Sequence, residues 1–320
     1  DRGVRDPVLA RQGLGRFTVQ DVYVGLGSTV ARGAAKYLQV SQEVPAPLEK
    51  LPGGEYRRAH PGFQDYYATP VHLVNGPARS YVSRTTNALQ PHAFRTGSAV
   101  PAPGGAVTVT ERGGWPSYVA KAVLGTVPIA ADGSASFTAP AGKVLYFHLL
   151  DGDYTELQRM RSVVQLQPGE QRSCVGCHDP RPTTPSRRLA QALGRRVQSL
   201  APPPWGAEPF DYERVVQPVL DAHCVRCHDA ATESAVDLRS DRDAHRVPLS
   251  YRSLIEGGWV HYFDWQYGAR HFKAEPLSFG SRQSRLFTVL ADERHRSVSL
   301  APDEWRAIKA WIDLNCPLWP

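Results

Sequence analysis

Four of the chain's five cysteines stand in two copies of one pattern: SCVGCHDP, with Cys174, Cys177 and His178, and HCVRCHDA, with Cys224, Cys227 and His228. Paired thiols beside an imidazole are the donors of metal and cofactor chemistry. Tetrahedral zinc accepts both donor types, but zinc ribbons separate their cysteine pairs by about 15–20 residues. Here one pair begins at 174 and the other at 224. A histidine directly after each pair is instead the attachment pattern of c-type haem. The spacing has a physical reason: two thiols must reach the two vinyl groups of one porphyrin, and the next residue must swing an imidazole beneath the iron. Two complete copies point to two covalently attached haem c groups. Disulfides within the pairs would leave both histidines unexplained. Attachment requires reduced thiols and export, so the expected location is periplasmic or otherwise extracytoplasmic. The fifth cysteine, Cys316, reads as a small buried hydrophobe behind the last helix.

Each iron then needs a sixth ligand or an open face. Outside the motifs the candidates are His60, His72, His92, His148, His223, His245, His261, His271, His295 and the single methionine, Met160. A lone histidine is more often structural than a ligand. His223, next to Cys224, is badly placed to reach the far face of the same haem. For the first haem Met160 comes first and His148 second. One strand and the turn Gln167-Pro168-Gly169 separate Met160 from Cys174, and a hairpin-like return would bring the thioether over the porphyrin. The same methionine also reads as a filler of core gaps. Without it the first iron is open, with Tyr154, Arg159 or Arg161 as hydrogen-bond donors to a small bound molecule.

The elements that must position these groups fall into two kinds. At 320 residues the chain reads as two domains, since one hydrophobic core rarely serves so long a chain. An apolar share of 42% and a charged share of 21% belong to an ordinary globular protein, and no apolar run is long enough to cross a membrane as a helix. The formal charge of +6 comes mostly from scattered arginines. Only Arg187, Arg188, Arg195 and Arg196 cluster, as a solvated helix face would, so a nucleic-acid partner is not expected.

Residues 1 to about 173 read as β-rich and sandwich-like, with turns at Pro52-Gly53-Gly54, Pro103-Gly104-Gly105 and Asp132-Gly133. GSASFTAPAGKVLYFHLLDGD alternates, with Val144, Tyr146 and His148 on one strand face, and SVVQLQPGEQ reads as a strand and turn before the first motif. SRRLAQALGRRVQSL reads as a helix, with Leu189, Leu193, Val197 and Leu200 in register. Ala201-Pro202-Pro203-Pro204-Trp205 reads as a stiff linker. FDYERVVQPVLDAHCVRCH reads as a helix leading into the second motif. The chain closes with a helix started by Ser299 or Pro302, carrying Trp305, Ile308, Trp311 and Ile312 on one face and stopped by Pro317. The expected class is α+β: a β-rich haem domain over 1–200, a Pro-rich linker over 201–207, and a helical, cytochrome c-like domain over 208–320 with the second haem.

VLGTVPIAADGSASFTAPAGKVLYFHLLDGDYTELQRMRSVVQLQPGEQRSCVGCHDPR resembles the middle domain of the hydrazine synthase alpha subunit family. The segment from VVQPVLDAHCVRCH through EPLSFGSRQSRL to RHRSVSLAPDEW and WIDLNCPLW resembles the C-terminal cytochrome domain of the same proteins. The resemblance implies a β-rich domain with one haem and a helical domain whose haem is held by two histidines, here His228 and His295. The family's amino-terminal propeller has no counterpart in these residues. In the synthase itself a tyrosine four residues beyond the first motif histidine binds the iron, and that histidine turns to zinc. Pro182 stands at that place, so His178 is expected to bind iron in the ordinary way, and hydrazine synthesis is not implied.

These readings favour an extracytoplasmic diheme cytochrome that passes single electrons between redox protein partners. The alternative is a haem enzyme, acting on peroxide or a nitrogen compound at an open first haem with the second as relay.

Overall fold

The structure is a computed structural model that describes residues 5–44, 48–50, 56–58, 100–102, 105–107, 121–160, 162–177, 189–232, 236–243, 247–262 and 275–318. Two compact units divide it. The first is built from the described residues of 1–43, 122–208 and 273–278, and the second from those of 44–121, 209–272 and 279–320. Strands and helices together make the chain α+β.

The strands are β1 (Leu14–Val19), β2 (Tyr37–Glu43), β3 (Leu48–Lys50), β4 (Tyr56–Arg58), β5 (Val100–Ala102), β6 (Gly105–Val107), β7 (Lys121–Pro128), β8 (Ala135–Pro140), β9 (Leu145–Leu150), β10 (Glu156–Arg159) and β11 (Gln171–Cys174). In the first unit, β11-β1-β8 form one sheet and β10-β9-β2-β7 another. β1 runs antiparallel to β8 and parallel to β11, which leaves Cys174 beside Val19. The sheets pack face to face over a common core. Phe17 and Phe137 from one meet Phe147 from the other at centroid separations of 5.1 and 5.8 Å, among Leu38, Val40, Leu145, Leu149 and Leu157. β9 is central, and Leu145, Tyr146, His148, Leu149 and Leu150 on its two faces are all buried. Alternation therefore sorts its side chains into two buried layers. Leu145, Phe147 and Leu149 face the sandwich core, and Tyr146 and His148 face the opposite way.

Two expectations near the first motif change. SVVQLQPGEQ forms no full strand: Val164 makes a single bridge to Leu145, and Leu166 is fully buried, filling the space beside Gly15. The strand comes after the Gly169 turn, as β11. It pairs with β1 in the other sheet, so β10 and β11 are not a hairpin.

The expected helix SRRLAQALGRRVQSL is also replaced, with 186–188 outside the described residues. Gln191–Gly194 is one 3-10 turn, tied down because Asp132 and Ser134 accept from the backbone N–H groups of Gln191 and Ala192 at 2.8 and 2.9 Å. Beyond it the backbone is extended. Gln198 pairs with β8 and Ala201 with β7, because those edge strands offer unpaired backbone groups that extended chain can satisfy. Ala201 of the proline-rich stretch is thus part of the sheet edge. Of the turn signals, Asp132-Gly133 is a turn with Gly133 at φ 89°, while Pro52-Gly53-Gly54 and Pro103-Gly104 lie outside the described residues.

The second unit is helical around its core. Tyr212–Val215 and Gln217–His223 are consecutive short helices leading into the second motif. Leu249–Glu256, Arg285–Leu290 and Pro302–Asp313 follow. Pro302 occupies the first helical position of the last helix, and the Glu304 carboxylate accepts from the Ala301 N–H at 2.7 Å. Ile308, Trp311 and Ile312 are buried as the pattern requires, and Trp305 is half-buried. Trp311 packs against Tyr212 and Tyr251 at 5.0 and 5.9 Å. Asn315 and Cys316, at φ 71° and 55°, turn the chain after the helix. Cys316 is fully buried.

Candidate functional site

Cys224 caps the helix Gln217–His223, its N–H donating to the Leu220 carbonyl at 2.8 Å. The chain continues as tight turns: the Cys227 and His228 N–H groups both return to the Cys224 carbonyl, at 3.0 and 3.1 Å. Positions three and four apart on such a coil share one side, which gathers two thiols and an imidazole. Burial, with Cys227 alongside, pushes the Cys224 thiol up to about 11. The Cys227 side is exposed.

His228 Nδ1 lies 3.2 Å from the Val236 carbonyl oxygen. A carbonyl only accepts, so Nδ1 carries the proton and Nε2 the lone pair, the tautomer a metal ligand needs. Facing it is His295, at the end of the 3-10 turn Glu293–His295 that Asp292 caps. The two ring centroids are 6.1 Å apart and the planes within 4° of parallel. Imidazoles bound on opposite sides of one metal, each nitrogen about 2 Å from it and about 1.1 Å from its own ring centre, put the centroids about 6 Å apart. In the chain on either side of His295, apolar side chains are only half-buried. They include Leu286, Phe287, Val289 and Leu290 on the helix Arg285–Leu290, and Val298, Leu300 and Trp305 beyond it. Phe287 and Trp305 are in contact at 5.7 Å.

The other histidines are otherwise engaged or outside the described residues. His223 Nε2 meets Glu304 Oε1 at 3.0 Å, so its ring turns to the last helix. The Ala301 N–H and His223 together hold the Glu304 carboxyl below the usual range. The His261 N–H donates to Ser284 Oγ at 2.8 Å, and its ring lies 6.3 Å from Phe279. His60, His72, His92, His245 and His271 are outside. Among the described residues no three His, Cys, Asp or Glu side chains converge on a metal position.

At the first motif β11 ends in Cys174, and the chain is stitched to the segment after β1: the Gln20 and Asp21 N–H groups donate to the Cys174 and Val175 carbonyls at 2.9 and 3.1 Å. Gly176 lies so close to Val24 that a Cβ would sit 2.5 Å from its carbonyl oxygen, so no other residue fits there. Cys174 and Cys177 are half-buried against the sandwich core. His178, Arg161 and Pro182 lie outside the described residues.

Met160 and His148 are separated by face. Arg159 pairs with His148 across β10 and β9, and the Met160 N–H donates to the Phe147 carbonyl at 2.8 Å. By alternation Met160 falls on the side of Phe147, and Phe147, Cys174 and Cys177 each pack against the sandwich core. The two edges also agree. The segment Gln198–Ala201 borders β8 in one sheet and β7 in the other, and β11 and β10 are the opposite edges of those two sheets. His148 points away from that layer. Its Nδ1 meets Glu156 Oε2 at 2.9 Å, and Arg159 Nε donates to Glu156 Oε1 at 2.5 Å. Burial alone would raise the Glu156 carboxyl, but Arg159 and His148 outweigh it and hold it low. Arg159 is thus committed to an ion pair on the outer layer. Tyr154, at φ 58°, stacks on Tyr37 with centroids 4.6 Å apart.

Glu156, Glu304 and the Val236 carbonyl were not visible in the sequence. A carboxylate in a strand looks like a surface residue, and a backbone acceptor has no residue-type signal.

Residues 84–179 match a family model described as the hydrazine synthase alpha subunit middle domain. Among solved structures the chain is similar to Kuenenia stuttgartiensis hydrazine synthase, with a TM-score of 0.56 and 18% identity, over 95% of this chain and 43% of that one. Identity this low establishes the shared fold. The chain therefore spans less than half the length of that relative. No curated protein matches it. Among the described residues no helix is long and apolar enough to cross a membrane. The resemblance carried by the sequence around QRMRS and SCVGCH is borne out to this extent: residues 84–179 match the model of the hydrazine synthase alpha subunit middle domain.

Proposed function

We propose that the chain is an extracytoplasmic c-type cytochrome with two covalently attached haem c groups, passing single electrons between redox protein partners. The observation that carries this reading is the His228–His295 pair, 6.1 Å apart and parallel, beside the thiols of Cys224 and Cys227. Two imidazoles fall short of the four donors a tetrahedral metal needs, but they complete a centre that brings four in-plane nitrogens of its own. The half-buried apolar side chains among 286–300 and at Trp305 support the reading, because a flat apolar group would bury them further. Haem held there would cycle between ferric and ferrous iron, one electron at a time.

The chain's own residues divide the remaining work. Cys224 and Cys227 tether the group, His228 is oriented by the Val236 carbonyl, and His295 closes the opposite side. Cys174, Cys177 and His178 do the same at the first site. There Met160, placed by alternation on the core side of its sheet, would be the thioether ligand, which would raise that haem's potential above the bis-imidazole one.

Intact mass and a pyridine haemochrome spectrum test the reading. The expected result is two haems, each joined by two thioethers; one haem, or zinc alone, overturns it. Met160→Leu should lower one of two reduction potentials. An unchanged pair of potentials, with cyanide binding at the first haem of the unmutated protein, would instead favour catalysis there.

A further inference from the structure

We infer that His295 is an exchangeable ligand, so that the second site also binds a small neutral π-acceptor such as CO or NO when its iron is ferrous. The inference rests on the bis-imidazole reading above and concerns the difference between the two histidines. His228 is held from three directions. Its N–H returns to Cys224 and Val225 at 3.1 and 3.0 Å, its carbonyl accepts from Leu238 at 2.9 Å, and its Nδ1 proton goes to Val236 at 3.2 Å. Its ring can neither rotate nor withdraw without breaking bonds to two separate segments.

His295 lacks such anchors to distant segments. Its Nδ1 is buried and has no hydrogen-bond partner among the described residues. A ligand imidazole lacking that acceptor is a weaker electron donor and is not fixed in rotation. Its backbone is held just as locally. His295 N–H donates to Asp292, Val298 N–H to His295, Asp292 N–H to Val289 and Ala291 N–H to Phe287. Every hydrogen bond given for residues 291–298 closes within 287–298. The ion pairs Arg294–Asp292 and Arg296–Glu293 are likewise internal to the turn, and exposed pairs of this kind hold little. Residues 291–294, 296 and 297 are all exposed. Such a segment opens at low cost while the rest of the fold stays closed. Were the turn to swing out, His295 would leave the iron and keep its lone pair, and the incoming ligand would donate a pair of its own in its place. No electron changes hands. Ferrous iron binds neutral π-acceptors in preference to anions, so a neutral diatomic is the class of ligand expected.

The test is CO binding to the dithionite-reduced holoprotein, followed by stopped flow at several CO concentrations. The expected record contains a phase whose rate levels off as CO rises, because loss of His295 limits it. Asp292→Ala, which removes the cap of the turn and touches no ligand, should speed that phase several-fold. His295→Ala should abolish the limit and bind CO in direct proportion to its concentration. A phase that is absent from the unmutated protein, or unchanged in both variants, overturns the inference. The underlying reading fails separately: His295→Ala would then leave the low-spin bis-imidazole spectrum of the oxidised protein as it was.

Discussion

The two imidazoles of the second site and the glycine of the first show how much single positions carry. Gly176 is a tight case, since a Cβ there would meet the Val24 carbonyl oxygen and Cβ at 2.5 Å. Backbone cannot yield as a flexible side chain does. Gly176→Ala should therefore displace the turn between Cys174 and Cys177 and cost about 1–3 kcal/mol. Haem stoichiometry of the purified variant is the measurement. Loss at the first motif with the second intact is expected; full occupancy of both, with unchanged stability, would refute the account of this contact.

At the scale of elements, β9 and β10 place a carboxylate, a guanidinium and an imidazole in a layer 3–4% exposed. A buried charge is tolerable only while its partner stands beside it. Glu156→Gln leaves Arg159 in place without its counter-charge, and the expected loss is about 3–5 kcal/mol of unfolding free energy in urea. The pH dependence has a definite sign. The Glu156 carboxyl is depressed on folding, so its contribution is complete above the unfolded value of about 4.3 and fades as pH falls through the lower folded value. The gap between the unmutated protein and Glu156→Gln should be full at pH 7 and narrow steadily below about pH 4. A gap that widens on acidification would reverse the assignment. Glu304, held low by the Ala301 N–H and His223, acts with the same sign, more weakly because it is only half-buried and partly screened by solvent.

For the whole molecule, the proposed haems are part of the folding balance as well as of the chemistry. The first unit has a closed apolar core between two sheets. The second has a tight cluster around Trp311, Tyr212 and Tyr251, but its helix Arg285–Leu290 buries no residue. Replacing Cys224 and Cys227 together by Ala should remove one haem by mass. Thermal unfolding should then separate into two transitions, the lower one from the second unit, with the first unit near its original midpoint. A single unshifted transition would show that the helical unit needs no prosthetic group.

The proposed haem attachment is read from local sequence: Cys-x-x-Cys-His acts through residues three and four positions apart, and chain connectivity alone brings them together. The final helix was legible for a similar reason, its apolar period and Pro302 both acting within one element. Other features depended on atoms far apart in the chain. SRRLAQALGRRVQSL has helical periodicity, yet the open edges of β7 and β8 draw its second half into extended pairing. The choice between Met160 and His148 turned on which face each occupies, and the irregularity between Glu156 and Gln158 resets the alternation that sequence counting assumes. The contrast between His228 and His295 rests on a backbone carbonyl at Val236, and backbone acceptors are the same in every residue. Only the folded chain decides which one a side chain meets.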